Sequence, residues 1–310
     1  MQSIESSLHS LTVLIPTHGR PTLLERTLDS IAQCKLPESY EELVVIENGS
    51  RAGAEELIAD LPDRLHARYM HESWGNKSNA LNAALETIED GLVVFFDDDV
   101  VVSPNTLVSY ATTASQHGSD HFFGGTVQAD RERKLPPLIA SRFPASVRGY
   151  EAEDRVERKG GMIYLGFNWG AYVGDIKKVG GFDPRLGPGS STGTTVGDES
   201  DLQQRMMKNG ILPVAVSQAV VTHHVPSEHV TLSWLLQRKY YVGMFLGITT
   251  DKDGQDWVSL IKGVLQSFGL LLKGVLIADK ERIVIALFSL YQSSGKAKGY
   301  LLSDKMKKAI

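Results

Sequence analysis

Cysteine is almost missing from this chain of 310 residues: Cys34 stands alone, so no disulfide can form within it. That suits a reducing compartment. In the helical pattern around it, Cys34 reads as a small core residue rather than a nucleophile. No stretch holds 18 uninterrupted apolar residues, which argues against a membrane-spanning helix. Met1-Gln2-Ser3-Ile4-Glu5 lacks the basic segment and apolar run of a secretory signal, so a cytoplasmic protein is expected. Positive charge is not in excess either. With 32 Lys and Arg against 37 Asp and Glu, the net charge is -5, and bulk electrostatics give no support to nucleic-acid binding. No internal repeat or low-complexity tract occurs. What is present is an ordinary globular composition, 42% hydrophobic and 22% charged, on a chain long enough for one large domain or two small ones.

The first hundred residues alternate between two periodicities. Residues 11–16, 42–46 and 92–96 are short apolar runs that read as buried strands, and 67–71 is a weaker one. Residues 21–32, 52–61 and 78–88 carry helical patterns. Pro21 suits a first helical turn, and Leu24, Leu28 and Ile31 fall on one face. The alternation predicts an α/β fold with a Rossmann-like, mostly parallel sheet flanked by helices. The strongest strands end in Thr17-His18-Gly19-Arg20, Glu47-Asn48-Gly49-Ser50 and Asp97-Asp98-Asp99. Such polar ends share the carboxyl edge of an open sheet, where ligands bind. Three adjacent carboxylates repel one another, and Mg²⁺ or Mn²⁺ would offset that repulsion. In an extended chain Asp97 and Asp99 face one way and Asp98 the other. A solvated acidic turn is the alternative reading.

The remainder is more mixed. Residues 122–127 and 162–166 read as strands, and the charged stretch 130–158, with Pro136, Pro137 and Pro144, as a surface excursion. A glycine-rich loop over 187–193 leads to Gly197-Asp198-Glu199-Ser200-Asp201-Leu202, which opens a helix; the loop is either a lid or a plain linker. From Thr231 the chain reads as helical. Residues 257–278 are largely apolar, interrupted by Lys262 and Lys273, which lie eleven residues apart on nearly one helical face, near Ser259 and Gln266. From Lys252 onward ten Lys and Arg face five Asp and Glu, a net +5, so the remainder carries -10. A basic amphipathic tail can lie on an anionic membrane surface. Helices packed on the catalytic domain or on a second subunit are the other reading.

Four motifs, in order, resemble those of the inverting glycosyltransferases of family 2, with the glycosyltransferase-A fold. They are Val13-Leu14-Ile15-Pro16-Thr17-His18-Gly19-Arg20; Val44-Val45-Ile46-Glu47-Asn48-Gly49-Ser50; Lys77-Ser78-Asn79-Ala80-Leu81-Asn82 followed by Asp97; and Val179-Gly180-Gly181-Phe182-Asp183 followed by Gly197-Asp198-Glu199-Ser200-Asp201-Leu202. Together they cover residues 11–225. Two departures stand out. The acidic pair reads Asp198-Glu199 where the family has Glu-Asp. Gln237-Arg238-Lys239-Tyr240-Tyr241 puts two tyrosines where processive synthases carry Arg and Trp, so single transfer rather than polymerisation is expected. The resemblance implies a catalytic domain over 1–228, divided into a nucleotide-binding half, 1–100, and an acceptor half, 101–228, with a helical region over 229–310.

The same resemblance implies roles. Pro16, Thr17, His18, Arg20, Glu47, Lys77, Asn82, Asp97, Asp98 and Arg238 would contact the nucleotide of a nucleoside-diphosphate sugar. Glu47 would accept from a ring N–H of the base, and Arg20 would suit bidentate phosphate contacts. Asp99, with Asp97 and His223, would hold Mn²⁺ or Mg²⁺. Adjacent histidines on a strand point to opposite sides, so one of His223 and His224 faces the metal. Glu199 would be the general base, beside Asp198, which with Trp169 would meet a glycan or lipid-linked acceptor. Asp198, Glu199 and Asp201 would equally favour a helix N-terminus with no catalytic task. Rival functions are a haloacid-dehalogenase-like phosphotransferase, a sugar nucleotidyltransferase and a non-catalytic nucleotide-sugar-binding scaffold. Peripheral membrane contact at the inner face and a homo-oligomer are both compatible with this sequence.

Overall fold

The computed structural model describes residues 10–153, 163–250 and 254–307. The chain groups into two compact units. The first takes in Met1–Arg131, Pro144–Pro184 and Asp198–Val225, and the second Glu132–Phe143, Arg185–Gly197 and Pro226–Ile310.

The first unit is a sheet with helices on both faces. In chain order its elements are β1 (Leu11–Thr17), α1 (Pro21–Ile31), β2 (Tyr40–Asn48), α2 (Ala54–Ala59), β3 (Ala67–Glu72), α3 (Lys77–Glu86), β4 (Leu92–Phe95), β5 (Val100–Val102), α4 (Thr106–His117), β6 (His121–Arg131), α5 (Ala145–Arg148), β7 (Trp169–Tyr172), α6 (Val173–Lys178), α7 (Asp198–Lys208) and β8 (Leu212–Val225). The strand order is β3-β2-β1-β4-β7-β6-β8-β5. The first four strands are parallel, as the alternation predicts. Beyond them the sheet is mixed, with β7 antiparallel to both β4 and β6.

Burial explains this architecture. Every residue of β1 and β4 is buried. Val13 and Ile15 pack with Leu24, Leu28 and Ile31 of α1 on one face. On the other, Leu14 and Phe95 pack with Ala80, Leu81, Ala84 and Leu85 of α3. A central strand covered on both sides needs the continuous apolar run seen in its sequence. After β4 the chain leaves the centre of the sheet through Asp97-Asp98-Asp99. It then pairs β5 antiparallel to β8, with Val100 opposite His223. That crossing brings the acidic triplet beside the histidines, although more than a hundred residues separate them in sequence.

Two expectations need correction. The strand expected over 162–166 is absent from its described part; Met162 lies outside the described residues. The Gln203 side chain accepts from the Tyr164 N–H at 2.7 Å and donates to its carbonyl at 3.2 Å, which takes the groups a ladder would use. The Tyr164 ring lies flat on Gly124, where a Cβ would meet it at 1.8 Å. The excursion over 130–158 is partly ordered: β6 runs on to Arg131, a 3-10 turn follows at Pro137–Arg142, and the chain rejoins the sheet through a bridge between Val127 and Tyr150. Residues 154–158 of that stretch lie outside the described residues.

The second unit is built on α8 (Leu232–Thr249), α9 (Gly254–Leu276) and α10 (Lys280–Lys307). Thr231 caps α8, accepting from the Trp234 N–H at 3.2 Å. Helices α8 and α10 cross where glycines meet. A Cβ on Gly243 or Gly247 would lie 2.0 or 2.3 Å from a carbonyl oxygen of α10, and one on Gly295 or Gly299 1.9 or 2.3 Å from one of α8. Only glycine permits that approach. Phe143 stacks on Trp234 at 6.4 Å, and Leu186 clusters with Phe245 and Ile248. The glycine-rich loop belongs to this unit and is pinned by its own hydroxyls: Ser190 Oγ donates to the Thr194 carbonyl at 2.8 Å and Thr192 Oγ1 to the Arg185 carbonyl at 2.6 Å.

Candidate active site

The site gathers at the carboxyl ends of β1, β2 and β4 in the first unit. Asp98 is fully buried. Its carboxylate accepts from Thr17 Oγ1 at 2.7 Å and from the guanidinium of Arg20, which also donates to Asp99 Oδ2 at 2.9 Å. Burial pushes the Asp98 carboxyl up to about 6, against the pull of Arg20 and Thr17. Asp97 pairs with Lys77 Nζ at 2.6 Å. Burial opposes both charges of that pair, and their attraction prevails: the Lys77 pKa is raised and the Asp97 pKa lowered. Arg20 and Lys77, expected to balance nucleotide charge, balance the triplet here.

Asp99 is arranged differently. Its Oδ1 is buried and has no hydrogen-bond partner, and His223 Nε2 lies 3.7 Å from it. The other ring nitrogen, Nδ1, sits 2.8 Å from the Ser146 carbonyl, and the ring stacks on Phe167 at 4.4 Å. A carbonyl can only accept, so Nδ1 carries the hydrogen, and in the neutral ring the Nε2 lone pair faces Asp99. His224 points the other way, its Nδ1 4.0 Å from Asp130 Oδ2. Of the two histidines the strand turns His223 toward the triplet. Among the described residues no cluster of three or more His, Cys, Asp and Glu could hold a metal. Mg²⁺ and Mn²⁺ use few protein ligands and keep waters, so an orphaned buried carboxylate oxygen facing an imidazole lone pair fits such an ion.

Opposite the triplet, α7 begins with Asp198 and Glu199. Burial, then the adjacent Asp198 carboxylate, pushes the Glu199 carboxyl up to about 8, while Lys77 pulls it down. A small cleft joins the parts, lined by Pro16, Lys77, Asp97, Gly166, Asp198 and Glu199. Gly166 makes room for Glu199, since a Cβ there would meet its side chain at 3.2 Å. Lys77 therefore stands electrostatically between Asp97 on one side and Asp198 and Glu199 on the other.

A family profile described as "Glycosyl transferase family 2" matches residues 12–180, more than half of the chain. The chain belongs to that family. It is 32% identical over 112 residues to validoxylamine A glucosyltransferase of Streptomyces hygroscopicus subsp. limoneus, an alignment covering 35% of this chain and 24% of that protein. It is 26% identical over 126 residues to glycosyltransferase AglE of Haloferax volcanii, covering 40% and 41% of the two. The matched part thus spans about a quarter of the first of these relatives. The mannosyltransferase PcManGT from Pyrobaculum calidifontis, solved in complex with GDP-Man and Mn2+, superposes with a TM-score of 0.59 at 18% identity, covering 96% of this chain and 88% of that one. Residues 1–349 of S. aureus TarS superpose at 0.53 with 14% identity, covering 97% and 92%. Mixed sheet, helical flanks and C-terminal helices are those of the glycosyltransferase-A fold.

Within this family framework the expected residues divide. Pro16, Thr17, Arg20, Lys77, Asp97, Asp98, Asp99, His223, Asp198 and Glu199 are brought to one edge of the first unit. His18 lies beside them, bonded through Nδ1 to the Asn48 carbonyl. Three residues do other work. Asn82, expected to touch the nucleotide, accepts from the Phe182 N–H and donates to the Phe182 carbonyl, both at 2.8 Å, so its amide is spent on holding that turn. Trp169, expected at an acceptor sugar, is 1% exposed and stacks on Phe95 at 4.7 Å as core. Glu47 is 2% exposed, and both its oxygens already accept, from the Ala52 N–H at 2.6 Å and the Tyr69 hydroxyl at 2.7 Å. Arg238 belongs to the helical unit, where its guanidinium lies over Trp234 at 5.5 Å. Two contributors escape sequence reasoning. Ser146 acts through its carbonyl, which no side-chain pattern announces. Trp74, in the loop between β3 and α3, is 80% exposed. Its place three residues before Lys77 is the one signal that marks it.

Proposed function

We propose that this protein is a metal-dependent, inverting, non-processive glycosyltransferase. It moves a sugar from a nucleoside-diphosphate sugar to a hydroxyl of a glycan or lipid-linked acceptor, in cell-surface glycan or polysaccharide synthesis. The observation that carries this reading is Lys77, held between the acidic triplet on one side and the Asp198–Glu199 pair on the other. A donor's diphosphate and a separate base are what a one-step transfer needs on the two sides of the anomeric carbon.

In this reading Asp99 and His223 hold Mn²⁺ or Mg²⁺, which when bound supplies Lewis-acid stabilisation of the departing diphosphate. The titles of similar structures, one with GDP-Man and Mn2+ and others with UDP or UDP-GlcNAc, support a nucleotide-sugar donor. Arg20 and Lys77 carry the positive charge that meets the donor's phosphates, exchanging carboxylate partners for phosphate oxygens. Glu199 takes the proton of the acceptor hydroxyl as its oxygen attacks, and a carboxyl poised near 8 is matched to that task at physiological pH. A single displacement opposite the leaving group inverts the anomeric centre. The lone cysteine and the basic C-terminal helices support a cytoplasmic enzyme at the inner face of a membrane.

The deciding experiment incubates the full chain with Mn²⁺ and a panel of UDP-, GDP- and dTDP-sugars and measures release of nucleoside diphosphate. Turnover with one of them is expected. Binding without turnover would favour the scaffold reading, and no binding to any donor would overturn both.

A further inference from the structure

Two features of the helical unit have no part in the reading above. The first is an open cavity of about 460 Å³ between α8, α9 and α10. Arg142, Lys239 and Lys296 line it, with Ser259, Gln292 and Ser293 as neutral hydrogen-bonding groups. Its apolar side is Leu260 and Phe288. No carboxylate lines it; Arg142 is met from outside by Glu281 at 3.4 Å. Among the described residues neither Lys239 nor Lys296 has an acidic partner, and their ammonium groups rest only on aromatic rings, Phe288 at 5.9 Å and Tyr300 at 5.3 Å. Burial, then Arg238 and Arg142, lowers the Lys239 pKa, so an anion entering here would relieve both crowding and desolvation.

The second feature is the outer face of α9. Val258, Ile261, Leu265, Phe268, Leu272 and Val275 repeat at helical spacing and are 50 to 66% exposed. The inner face is small and packed: Ser267 Oγ bonds Ser289 Oγ of α10 at 2.6 Å, and a Cβ on Gly274 would touch Ile283 at 3.0 Å. Trp257–Leu276 is long and apolar enough to cross a membrane by length and composition, which the two lysines hid from a search for uninterrupted runs. A helix with one face committed to α10 and an apolar face outward suits the plane of a bilayer surface better than its interior. Lys262 and Lys273 flank the apolar face, and no acidic residue occurs from Trp257 to Ala278. This charge is complementary to an anionic leaflet.

We infer that the helical unit binds an anionic lipid: α9 lies in the membrane interface on its apolar face, and the cavity beside it takes a phosphate-bearing headgroup through Lys239, Lys296 and Arg142. Each part explains the other. An apolar face alone could pair with anything apolar, and three cations alone could hold any small anion. A cationic cavity lined partly by the same helix that carries the apolar face fits an amphiphile with a charged head. Nothing in this assignment depends on the donor site, so its test needs no sugar transfer.

The test sediments the full chain with vesicles of phosphatidylcholine alone or mixed with phosphatidylglycerol, at low and high salt. Binding to the mixed vesicles, weakened by salt, and little binding to the neutral ones is expected. Lys239→Gln/Lys296→Gln should weaken it about tenfold or more, the scale for two cations at an anionic surface. Leu265→Ser/Phe268→Ser, both on the exposed face, should weaken it by at least as much. Circular dichroism checks folding. If the cavity variant does not fold, Lys262→Gln/Lys273→Gln on the exposed flank replaces it with the same expectation. Equal binding to neutral vesicles, no binding to either, or variants that bind like the parent would overturn the inference. So would thermal stabilisation by inorganic phosphate without vesicle binding, which would assign the cavity to a soluble anion. A dimer that Leu265→Ser dissociates without change in vesicle binding would assign the face to a second copy.

Discussion

Glu199 and Asp198 share the first turn of α7, and the crowding of their carboxylates has a direct kinetic consequence. With Glu199 held up to about 8, the basic form gains ground as pH rises through that value, so kcat/KM should climb to a plateau above it. Removing the neighbouring charge with Asp198→Asn should lower the Glu199 pKa and move that limb to lower pH; a limb that stays in place would count against Glu199 as the titrating group. Glu199→Gln should cost about 10²–10⁴-fold in transfer while donor binding, read by calorimetry, stays near the parent value. Asp99→Ala should remove the Mn²⁺ dependence of donor binding, and unchanged dependence would exclude it as a ligand. Trp74→Ala should raise the donor KM with little change in thermal stability, because an 80% exposed ring contributes little packing. Residue types were a fair guide where charge set the role, as in the triplet and at His223. They misled at Asn82 and Trp169, whose partners Phe182 and Phe95 come from elsewhere in the chain and turn ligand-like side chains into structural ones.

At the scale of elements, two clamps hold the parts of the site in register. Asn82 of α3 and Arg205 of α7 both grip the turn over 179–182. Arg205 donates to the Gly181 carbonyl at 2.7 Å and to the Val179 carbonyl, and is itself held by Asp201 at 2.7 Å. Arg205→Ala should cost about 2 kcal/mol in denaturant unfolding, the range for hydrogen bonds to a charged group. Lys77→Met at the head of α3 should cost about 3 kcal/mol at neutral pH, because it strands Asp97 in a largely buried position. Asp97 has its carboxyl pKa lowered by Lys77, so the pair's contribution is full above the ordinary carboxylate range and is lost as pH falls through the lowered value. The gap between variant and parent should therefore shrink in acid; a gap constant with pH would refute the pairing. Strands β1 to β4 were legible because a doubly covered strand must be an unbroken apolar run. Strand β5, three residues long, has no periodicity to read, and β7 pairs through Trp169-Gly170-Ala171-Tyr172, a sequence without a strand's usual branched residues.

For the whole molecule, the two units interleave along the chain, and cutting at residue 228 would not separate them. Residues 132–143 and 185–197 belong with the C-terminal helices. A fragment ending at 228 would keep Phe143 and Leu186 but lose Trp234, Phe245 and Ile248, on which they pack. It should unfold at lower temperature and aggregate more readily than the full chain, as differential scanning fluorimetry and light scattering would report; equal stability would mean that the C-terminal helices are dispensable to the fold. Sequence alone places the motif order and the basic tail. It cannot foresee that two excursions leave the sheet to join the helices, since nothing local in 132–143 or 185–197 names their partner.

The glycines of α8 and α10 carry a last consequence. Because Gly243, Gly247, Gly295 and Gly299 bring backbone against backbone, the two helices mesh like a key in a lock with a single cut. Sliding α10 by one residue would drive Lys296 or Tyr300 into space that holds no side chain at all. The alignment of these helices is thus all-or-none. Inserting or deleting one residue within α10 before Gly295 should undo the whole helical unit, whereas the same change in the tail beyond Gly299 should pass almost unnoticed.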